Sequence, residues 1–132
     1  MRKRPNRSVL IVEDEQRDAE LIMELLQECD FQISIDVASS AEEGLAKILK
    51  KRFHLIICDY CLPGMDGLSF LKVVKNTKGS VPVIVLTGYP NQELEAQVLR
   101  HGSCTYLSKD ADRRTFLNLV KEAIAPLPVW VM

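Results

Sequence analysis

The run Leu55-Ile56-Ile57-Cys58 contains four apolar residues and is followed at once by Asp59. Two other runs have the same form, Val9-Leu10-Ile11-Val12 and Val83-Ile84-Val85-Leu86. Short, continuous apolar runs are typical of strands that are buried on both faces of a parallel sheet. The three runs therefore predict three central strands.

Two weaker segments are predicted to form the edges of the same sheet. Apolar and polar residues alternate over Ile33-Ser34-Ile35-Asp36-Val37, and Thr105-Tyr106-Leu107 is a short run. Both patterns suit strands that lie at an edge rather than in the centre of a sheet. Together with the three central runs, they give five predicted strands.

Apolar residues at helical spacing fill the intervals between the strands. Such stripes place one face of each helix against the sheet. The stripes are Ala19-Ile22-Met23-Leu26, Ala41-Leu45-Ile48, Phe70-Leu71-Val74, Leu94-Val98 and Phe116-Val120-Ile124. Ser40 and Glu43 have the spacing of a capping box at the second helix, and Asp66 is expected to cap the third. Repeated strand–helix units predict an α/β fold, a doubly wound five-stranded parallel sheet in the order 2-1-3-4-5 with helices on both faces.

Length and composition indicate one domain of ordinary globular type. The chain has 132 residues, of which 47% are hydrophobic and 27% charged, and its net charge is -1. This balance provides no basic field for nucleic acid or an anionic membrane, and no apolar run approaches the roughly 18 residues of a membrane span. We therefore expect a cytoplasmic protein with a basic tail at residues 1–7 and a folded domain at residues 8–125. Residues 126–132 are expected to form an apolar tail or the start of a linker.

The four cysteines, Cys29, Cys58, Cys61 and Cys104, fit a reducing compartment. Cys58 and Cys61 have the Cys-x-x-Cys spacing of redox and zinc sites, but a zinc site needs a second close pair. A redox pair usually begins a helix, where the thiol pKa is lowered, whereas Cys58 ends an apolar run. Buried thiols are the favoured interpretation, and a redox or metal pair is the alternative.

Polar residues follow the predicted strands where each strand ends. Glu13 and Asp14 come after the first strand, Asp59 after the third, Thr87 after the fourth, and Lys109 soon after the fifth. Parallel strands bring these residues to one edge of the sheet, where ligands bind in such folds. Crowded carboxylates repel one another and favour a hard cation such as Mg²⁺. A carboxylate nucleophile, a divalent metal, a lysine and a hydroxyl together suit phosphoryl transfer.

Four stretches closely resemble the CheY-like receiver domain of two-component response regulators. They are residues 9–15 (VLIVEDE), 59–67 (DYCLPGMDG), 85–88 (VLTG) and 102–109 (GSCTYLSK). The resemblance covers roughly residues 8–125, and the second stretch, in register with the other three, is a highly specific signal.

The resemblance implies a phosphoprotein of phosphorelay signal transduction. Asp59 would accept a phosphoryl group from a histidine kinase or a histidine phosphotransfer protein and form an aspartyl phosphate. Asp14 and Asp59 would bind Mg²⁺ directly, Glu13 would act through water, and the Cys61 backbone carbonyl would supply another ligand. The domain would catalyse only its own phosphorylation and dephosphorylation and is not expected to be an enzyme in any wider sense.

The same resemblance assigns a switch to three further residues. Lys109 would pair with a phosphate oxygen, Thr87 would donate to another, and Tyr106 would swing inward when the threonine moves. Cys61 and Tyr89, each two positions after a site residue, would border the phosphoryl group and tune dephosphorylation. Because a thiol cannot orient a water molecule as an amide could, we expect a long-lived phosphorylated form.

The chain departs from the family after the lysine, where the family usually has proline, often through a cis bond. Here Lys109 precedes Asp110. A cis bond to a residue other than proline costs about 3–4 kcal/mol. We therefore expect a trans bond that aims Lys109 differently, and we expect Asp110 to compete for the lysine.

The sequence does not identify the partners beyond the phosphodonor. We expect an output partner or an effector domain outside this chain. A homodimer linked to phosphorylation is compatible with the family, whereas direct binding of nucleic acid or membrane is not expected.

The main alternative is a degenerate receiver that acts as a phosphorylation-independent interaction module. A flavin-binding module would need a phosphate cradle after the first strand, where Glu13-Asp14-Glu15 would repel it. A metal-dependent aspartyl-phosphate phosphatase would need a second carboxylate where Cys61 stands.

Overall fold

Strands and helices alternate along residues 6–125, the part of the chain that this computed structural model describes. The strands are β1 (Asn6–Val12), β2 (Gln32–Ala38), β3 (Leu55–Asp59), β4 (Val83–Thr87) and β5 (Cys104–Ser108). The helices are α1 (Gln16–Leu26), α2 (Ala41–Lys50), α3 (Gly67–Thr77), α4 (Gln92–Leu99) and α5 (Arg113–Ile124). The strands pair in parallel in the order β2-β1-β3-β4-β5, which confirms the predicted doubly wound α/β fold.

The register of the sheet aligns the carboxyl ends of the central strands. Val12 pairs with Cys58, and Asp59 pairs with Leu86. The last residues of β4 and β5 also pair with each other. The residues that end or follow these four strands therefore meet at one edge of the sheet.

The central strands are buried on both faces, as their continuous apolar runs predict. Leu10, Ile56 and Val85 pack in the layer that contains α2, α3 and α4. Their neighbours Ile11 and Ile57 point to the opposite face and pack in the layer that contains α1 and α5. The predicted stripes of all five helices contribute buried residues to these two layers.

The helix caps follow the predicted chemistry with one change. Ser40 Oγ accepts from the Glu43 amide at 3.1 Å, and Asp66 Oδ1 accepts from the Ser69 amide at 2.8 Å. The carboxylate of Glu43, however, accepts from the Ser39 amide at 3.0 Å and the Ser39 hydroxyl at 2.9 Å. The reciprocal half of the capping box therefore reaches one residue further back than its spacing predicts.

The start of β1 is fixed by contacts of Arg7. Its guanidinium lies 5.4 Å from the centroid of the Phe31 ring, and its Nε donates to the Ile124 carbonyl at 2.6 Å. Asn6 and Arg7 also pair with β2, so the basic tail expected at residues 1–7 is wrong for these two positions. Both residues are polar and join the sheet through backbone pairing, so the apolar pattern that predicts strands does not reveal them.

The remaining tail predictions fall outside the described residues. Neither residues 1–5 nor the apolar segment at residues 126–132 belongs to the part that the structure describes. Over residues 6–125, the helices are all too short or too polar to cross a membrane.

Candidate functional site

Three carboxylates meet at the carboxyl edge of the sheet. Glu13 and Asp14 follow β1, Asp59 ends β3, and one oxygen of each lies within 4.8 Å of the others. Glu13 and Asp59 are buried, whereas Asp14 is exposed. The group is therefore enclosed on its sheet side and open to solvent at Asp14. Hard oxygen donors with an open side fit a partly hydrated Mg²⁺ ion.

The carboxyl group of Glu13 is strongly affected by its surroundings. Burial raises the pKa of Glu13 to about 7, and the negative charge of Asp59 acts in the same direction. Hydrogen bonds from the Lys109 ammonium at 2.9 Å and the Glu15 amide at 3.2 Å favour the charged form and oppose this rise. The protein's own donors thus only partly offset the cost of burying this charge, and a bound cation would offset more of it.

Lys109 supplies the positive charge among these carboxylates. Its Nζ donates to Asp18 Oδ2 at 2.8 Å and to Glu13 Oε1 at 2.9 Å, and it lies 3.4 Å from Asp59 Oδ1. Partial burial favours the neutral amine, but the hydrogen bonds to Asp18 and Glu13, together with the negative charges of Asp59 and Glu13, outweigh burial and raise the pKa of Lys109. The ammonium therefore stays charged at neutral pH.

The carboxylate that competes for Lys109 is not the expected one. The bond between Lys109 and Asp110 is trans, as expected, but the Asp110 amide donates to Ser108 Oγ at 3.1 Å and its carboxylate does not pair with the lysine. The competitor is Asp18, in the first turn of α1. Sequence reasoning missed Asp18 because an acidic residue in a first helical turn is already explained by the helix dipole.

Thr87 and Tyr106 are connected through the loop between β4 and α4. The buried Thr87 hydroxyl accepts a hydrogen bond from the Tyr89 amide at 3.1 Å. The Tyr106 hydroxyl accepts from the Asn91 amide at 2.9 Å. Asn91 also caps α4, because its side chain accepts from the Leu94 amide at 2.7 Å. A shift of this loop would therefore change the hydrogen bonds of both the Thr87 hydroxyl and the Tyr106 hydroxyl.

The ring of Tyr106 is already inside the protein, with only 9% of its surface exposed. It packs in the layer that contains α4, and the hydrogen bond from Asn91 holds its hydroxyl. The inward swing on phosphorylation stays a prediction, and in this conformation Tyr106 is already buried. The change to look for is in the hydrogen bond between Asn91 and Tyr106.

Cys61 and Tyr89 both lie beside the threonine. They line, with Thr87, a cavity of about 350 Å³ between the loops that follow β3 and β4. Cys61 is exposed, and the Tyr89 side chain is 85% exposed. The structure thus brings both residues to the edge of the site, with the Tyr89 ring largely in solvent.

Gly67 allows the segment after Asp59 to fold back onto the strand end. A Cβ added at Gly67 would lie 2.6 Å from the Tyr60 Cα and 2.7 Å from the Asp59 carbonyl oxygen, closer than real contacts. The Gly67 amide donates to the Tyr60 carbonyl at 2.7 Å. The glycine therefore has a steric function in holding the backbone that carries Asp59.

The Cys-x-x-Cys spacing does not form a pair in this structure. Cys58 is buried, Cys61 is exposed, and all four cysteines are free thiols. Burial raises the pKa of the Cys58 thiol far above its ordinary value, which opposes the thiolate that redox and metal chemistry require. The prediction of buried thiols is confirmed at Cys29 and Cys58, holds only in part for the half-buried Cys104, and is wrong for the exposed Cys61.

Comparison with known proteins identifies the family. The family described as the response regulator receiver domain matches residues 9–121. Among solved structures, a CheY-like response regulator receiver domain protein from Methanospirillum hungatei JF-1 superimposes with a TM-score of 0.80 at 29% identity. That superposition covers 89% of this chain and 93% of the other.

Two curated relatives are longer proteins. The chain is 32% identical over 123 residues to the response regulator protein FleR of Pseudomonas aeruginosa, covering 91% of this chain and 25% of FleR. It is 28% identical over 117 residues to the transcriptional regulatory protein ZraR of Klebsiella oxytoca, covering 89% of this chain and 26% of ZraR. The chain thus spans about a quarter of the length of these relatives. With its strand order and the family match over most of its length, the chain belongs to the response regulator receiver domains, a family of signalling domains.

Proposed function

We propose that this receiver domain accepts a phosphoryl group on Asp59 from a histidine kinase or a histidine phosphotransfer protein in a Mg²⁺-dependent reaction. The observation that supports this most is the buried Asp59 carboxylate, which lies within 4.8 Å of Glu13 and Asp14 and 3.4 Å from the ammonium of Lys109. Phosphoryl transfer depends mainly on positioning and on neutralisation of charge, and these groups are suited to both.

The proposed chemistry is a direct transfer between two side chains. An oxygen of Asp59 attacks the phosphorus atom of a phosphohistidine, a P–O bond forms, and the P–N bond breaks with its electron pair going to the ring nitrogen. A carboxylate nucleophile has no proton to lose, so no general base is required. Lys109 and the Thr87 hydroxyl would each interact with a phosphoryl oxygen as charge develops.

The residues that we assign to Mg²⁺ are Asp14, Asp59 and the backbone carbonyl of Cys61, with Glu13 acting through water. Bound there, the metal would neutralise charge on the phosphoryl oxygens. Glu13 suits the outer position because its two oxygens already accept from Lys109 and from the backbone.

The output of the switch is proposed to lie outside this chain, since the chain spans about a quarter of the length of its relatives. An effector domain, a separate output partner or a phosphorylation-linked homodimer would read the surface of α4 and β5, in the cytoplasm. The degenerate receiver, which would need no phosphorylation chemistry, is disfavoured because acidic, lysine and hydroxyl positions are all filled and lie at one edge of the sheet.

Incubation with acetyl phosphate tests the proposed function. In the presence of Mg²⁺ we expect the addition of one phosphoryl group, assigned by peptide mass spectrometry to the segment that carries Asp59. Replacement of Mg²⁺ by EDTA should remove the product. A phosphoryl group on serine, threonine or histidine, or a product that forms equally well in EDTA, would contradict the proposal.

Thr87→Ala is expected to separate phosphorylation from its structural effect. In the proposed switch, the Thr87 hydroxyl donates to a phosphoryl oxygen and draws with it the Tyr89 amide, which already bonds to that hydroxyl. The loop then pulls on the hydrogen bond between Asn91 and Tyr106. One charge-assisted hydrogen bond of about 1.5–3 kcal/mol allows a population shift of roughly ten- to a hundredfold.

The variant should still accept a phosphoryl group but lose most of the amide chemical-shift changes over residues 88–94 and at Tyr106 when beryllofluoride, a phosphoryl mimic, is added. Thr87→Ser keeps the hydroxyl and should retain these changes. A full response in Thr87→Ala would show that the coupling runs by another route.

Cys61→Asn is expected to shorten the life of the aspartyl phosphate. An amide beside the phosphoryl group can orient an attacking water, which the weakly polar thiol does not, and we expect roughly threefold to tenfold faster decay. Cys61→Ala, which removes the thiol without adding an amide, should decay at the wild-type rate. Tyr89→Ala separately tests whether the exposed ring closes over the phosphoryl group. Unchanged decay in both Cys61→Asn and Tyr89→Ala would refute a role for these residues.

A further inference from the structure

We infer that Asp18 keeps Lys109 from a short hydrogen bond to the phosphoacceptor while Asp59 is unmodified, and that phosphorylation draws the lysine from Asp18 to the phosphoryl group. The inference rests on the proposed function, because it describes how the same site changes when Asp59 carries phosphate. Asp18 is then a positioning residue that acts through Lys109, and it touches neither the phosphoryl group nor the metal.

The hydrogen bonds of Lys109 are divided unequally among its partners. Nζ donates to Asp18 at 2.8 Å and to Glu13 at 2.9 Å, whereas the Asp59 oxygen lies 3.4 Å away. Charge-assisted hydrogen bonds of this type are usually about 2.7–2.9 Å long. Asp59 therefore receives the electrostatic attraction of Lys109 without a short hydrogen bond. The ammonium has a third N–H to offer, but Asp18 and Glu13 fix where Nζ lies. A short hydrogen bond to a phosphoryl oxygen on Asp59 would therefore move Nζ toward Asp59 and lengthen its bond to one of these two partners.

Burial decides which partner gives way. The side chain of Glu13 is 1% exposed, and that of Asp18 is 35% exposed. A buried carboxylate that loses its cation is left without compensation, whereas water replaces the cation at a partly exposed one. Lys109 therefore keeps Glu13 and leaves Asp18.

The position of Asp18 follows from α1. It lies in the first turn of that helix, one turn before the buried Ile22. Asp18 and Lys109 both line a groove of about 280 Å³ between α1 and α5, together with Glu24 and Glu28. Departure of the ammonium would make this groove more negative, so phosphorylation would change the charge of a surface that the switch through Tyr106 does not reach.

Binding of beryllofluoride in the presence of Mg²⁺ tests the inference, with the apparent Kd measured by amide NMR titration. Asp18→Asn is expected to bind about threefold to tenfold more tightly than wild type, because a competing partner is lost only from the unmodified state. Glu24→Gln removes the same charge from the same helix and groove and should bind like wild type. Equal or weaker binding by Asp18→Asn would overturn the inference.

A double-mutant cycle separates an effect through Lys109 from a direct effect of the Asp18 charge on the bound anion. In a Lys109→Ala background, Asp18→Asn is expected to leave the affinity unchanged. The same gain in affinity in both backgrounds would overturn the inference.

A second measurement requires no variant. The carboxyl ¹³C resonance of Asp18 should move when beryllofluoride binds, and that of Glu24 should not. An unmoved Asp18 resonance would count equally against the inference.

Failure of the proposed function has a different signature. The wild-type protein would then neither bind beryllofluoride nor carry a phosphoryl group on Asp59. A wild-type protein that binds and is labelled, with an Asp18→Asn variant of unaltered affinity, overturns only the assignment to Asp18.

Discussion

Asp59→Asn is expected to abolish phosphoryl incorporation while the domain remains folded. The carboxylate supplies both the attacking oxygen and a metal ligand in the proposed reaction, and the amide of asparagine is a poor substitute for either. The two side chains are nearly equal in size, so the packing around this buried position is kept. We therefore expect no phosphoryl group by intact-protein mass spectrometry and a melting temperature within about 4 °C of wild type.

The matched control is Asp30→Asn, which makes the same change at an exposed position outside the site. It should be phosphorylated to the same extent as wild type. Incorporation into Asp59→Asn at the wild-type level would mean that another residue is the acceptor. A loss of incorporation in both variants would point to a general effect of charge and would also contradict the assignment.

Gly67→Ala is expected to destabilise the fold and to displace the acceptor. The added Cβ would meet the Tyr60 Cα at 2.6 Å and the Asp59 carbonyl oxygen at 2.7 Å, which are backbone atoms that cannot rotate away. Overpacking of this kind costs about 1–3 kcal/mol in the free energy of unfolding. Urea denaturation should show this loss as a lower midpoint, and acetyl phosphate should label the variant more slowly because the Asp59 backbone has moved.

Gly88→Ala is the control for the general effect of losing a glycine. Nothing lies within 4 Å of a Cβ added there, and its φ is outside the left-handed region. The free energy of unfolding of Gly88→Ala should differ from that of wild type by less than about 1 kcal/mol. A small increase is expected, because alanine has fewer backbone conformations than glycine in the unfolded chain. A Gly67→Ala variant as stable as Gly88→Ala would show that the segment after Asp59 has room to move.

The sheet could be predicted because its central strands have a simple physical requirement. Strands covered on both faces need apolar residues at every position, and residues 9–12, 55–58 and 83–86 meet that requirement. Once those strands are parallel and adjacent, the residues that follow them must share an edge. The meeting of Glu13 and Asp59 at one edge therefore follows from the sequence pattern.

The parts that could not be predicted depend on side-chain geometry or on backbone pairing alone. Asn6 joins the sheet through its backbone, which leaves no mark in the apolar pattern. Asp18 reaches Lys109 across more than ninety positions of sequence, and its chemistry is equally well explained by a helix terminus. Asp110 is next to Lys109 in sequence, but adjacent side chains need not face each other, and this pair does not bond.

The position of Tyr106 was also hidden from the sequence. An aromatic residue with a polar tip can lie in a core or at its surface, and the choice depends on whether a partner is available for the hydroxyl. Here the partner is the Asn91 amide, supplied by a loop fifteen positions earlier in the chain. Local pattern carries no information about that encounter.

The hydrogen bond between Arg7 and Ile124 has a consequence for modular use of the domain. Because the Arg7 side chain reaches the Ile124 carbonyl at 2.6 Å, the backbone at the start of the first strand and at the end of the last helix lies within the reach of one arginine side chain. A domain of this kind can be inserted into a surface loop of a host protein without a large separation of the two ends of that loop. A short bridge across the same gap would also make a circular permutant, with new termini opened at an exposed turn such as the one around Gly79.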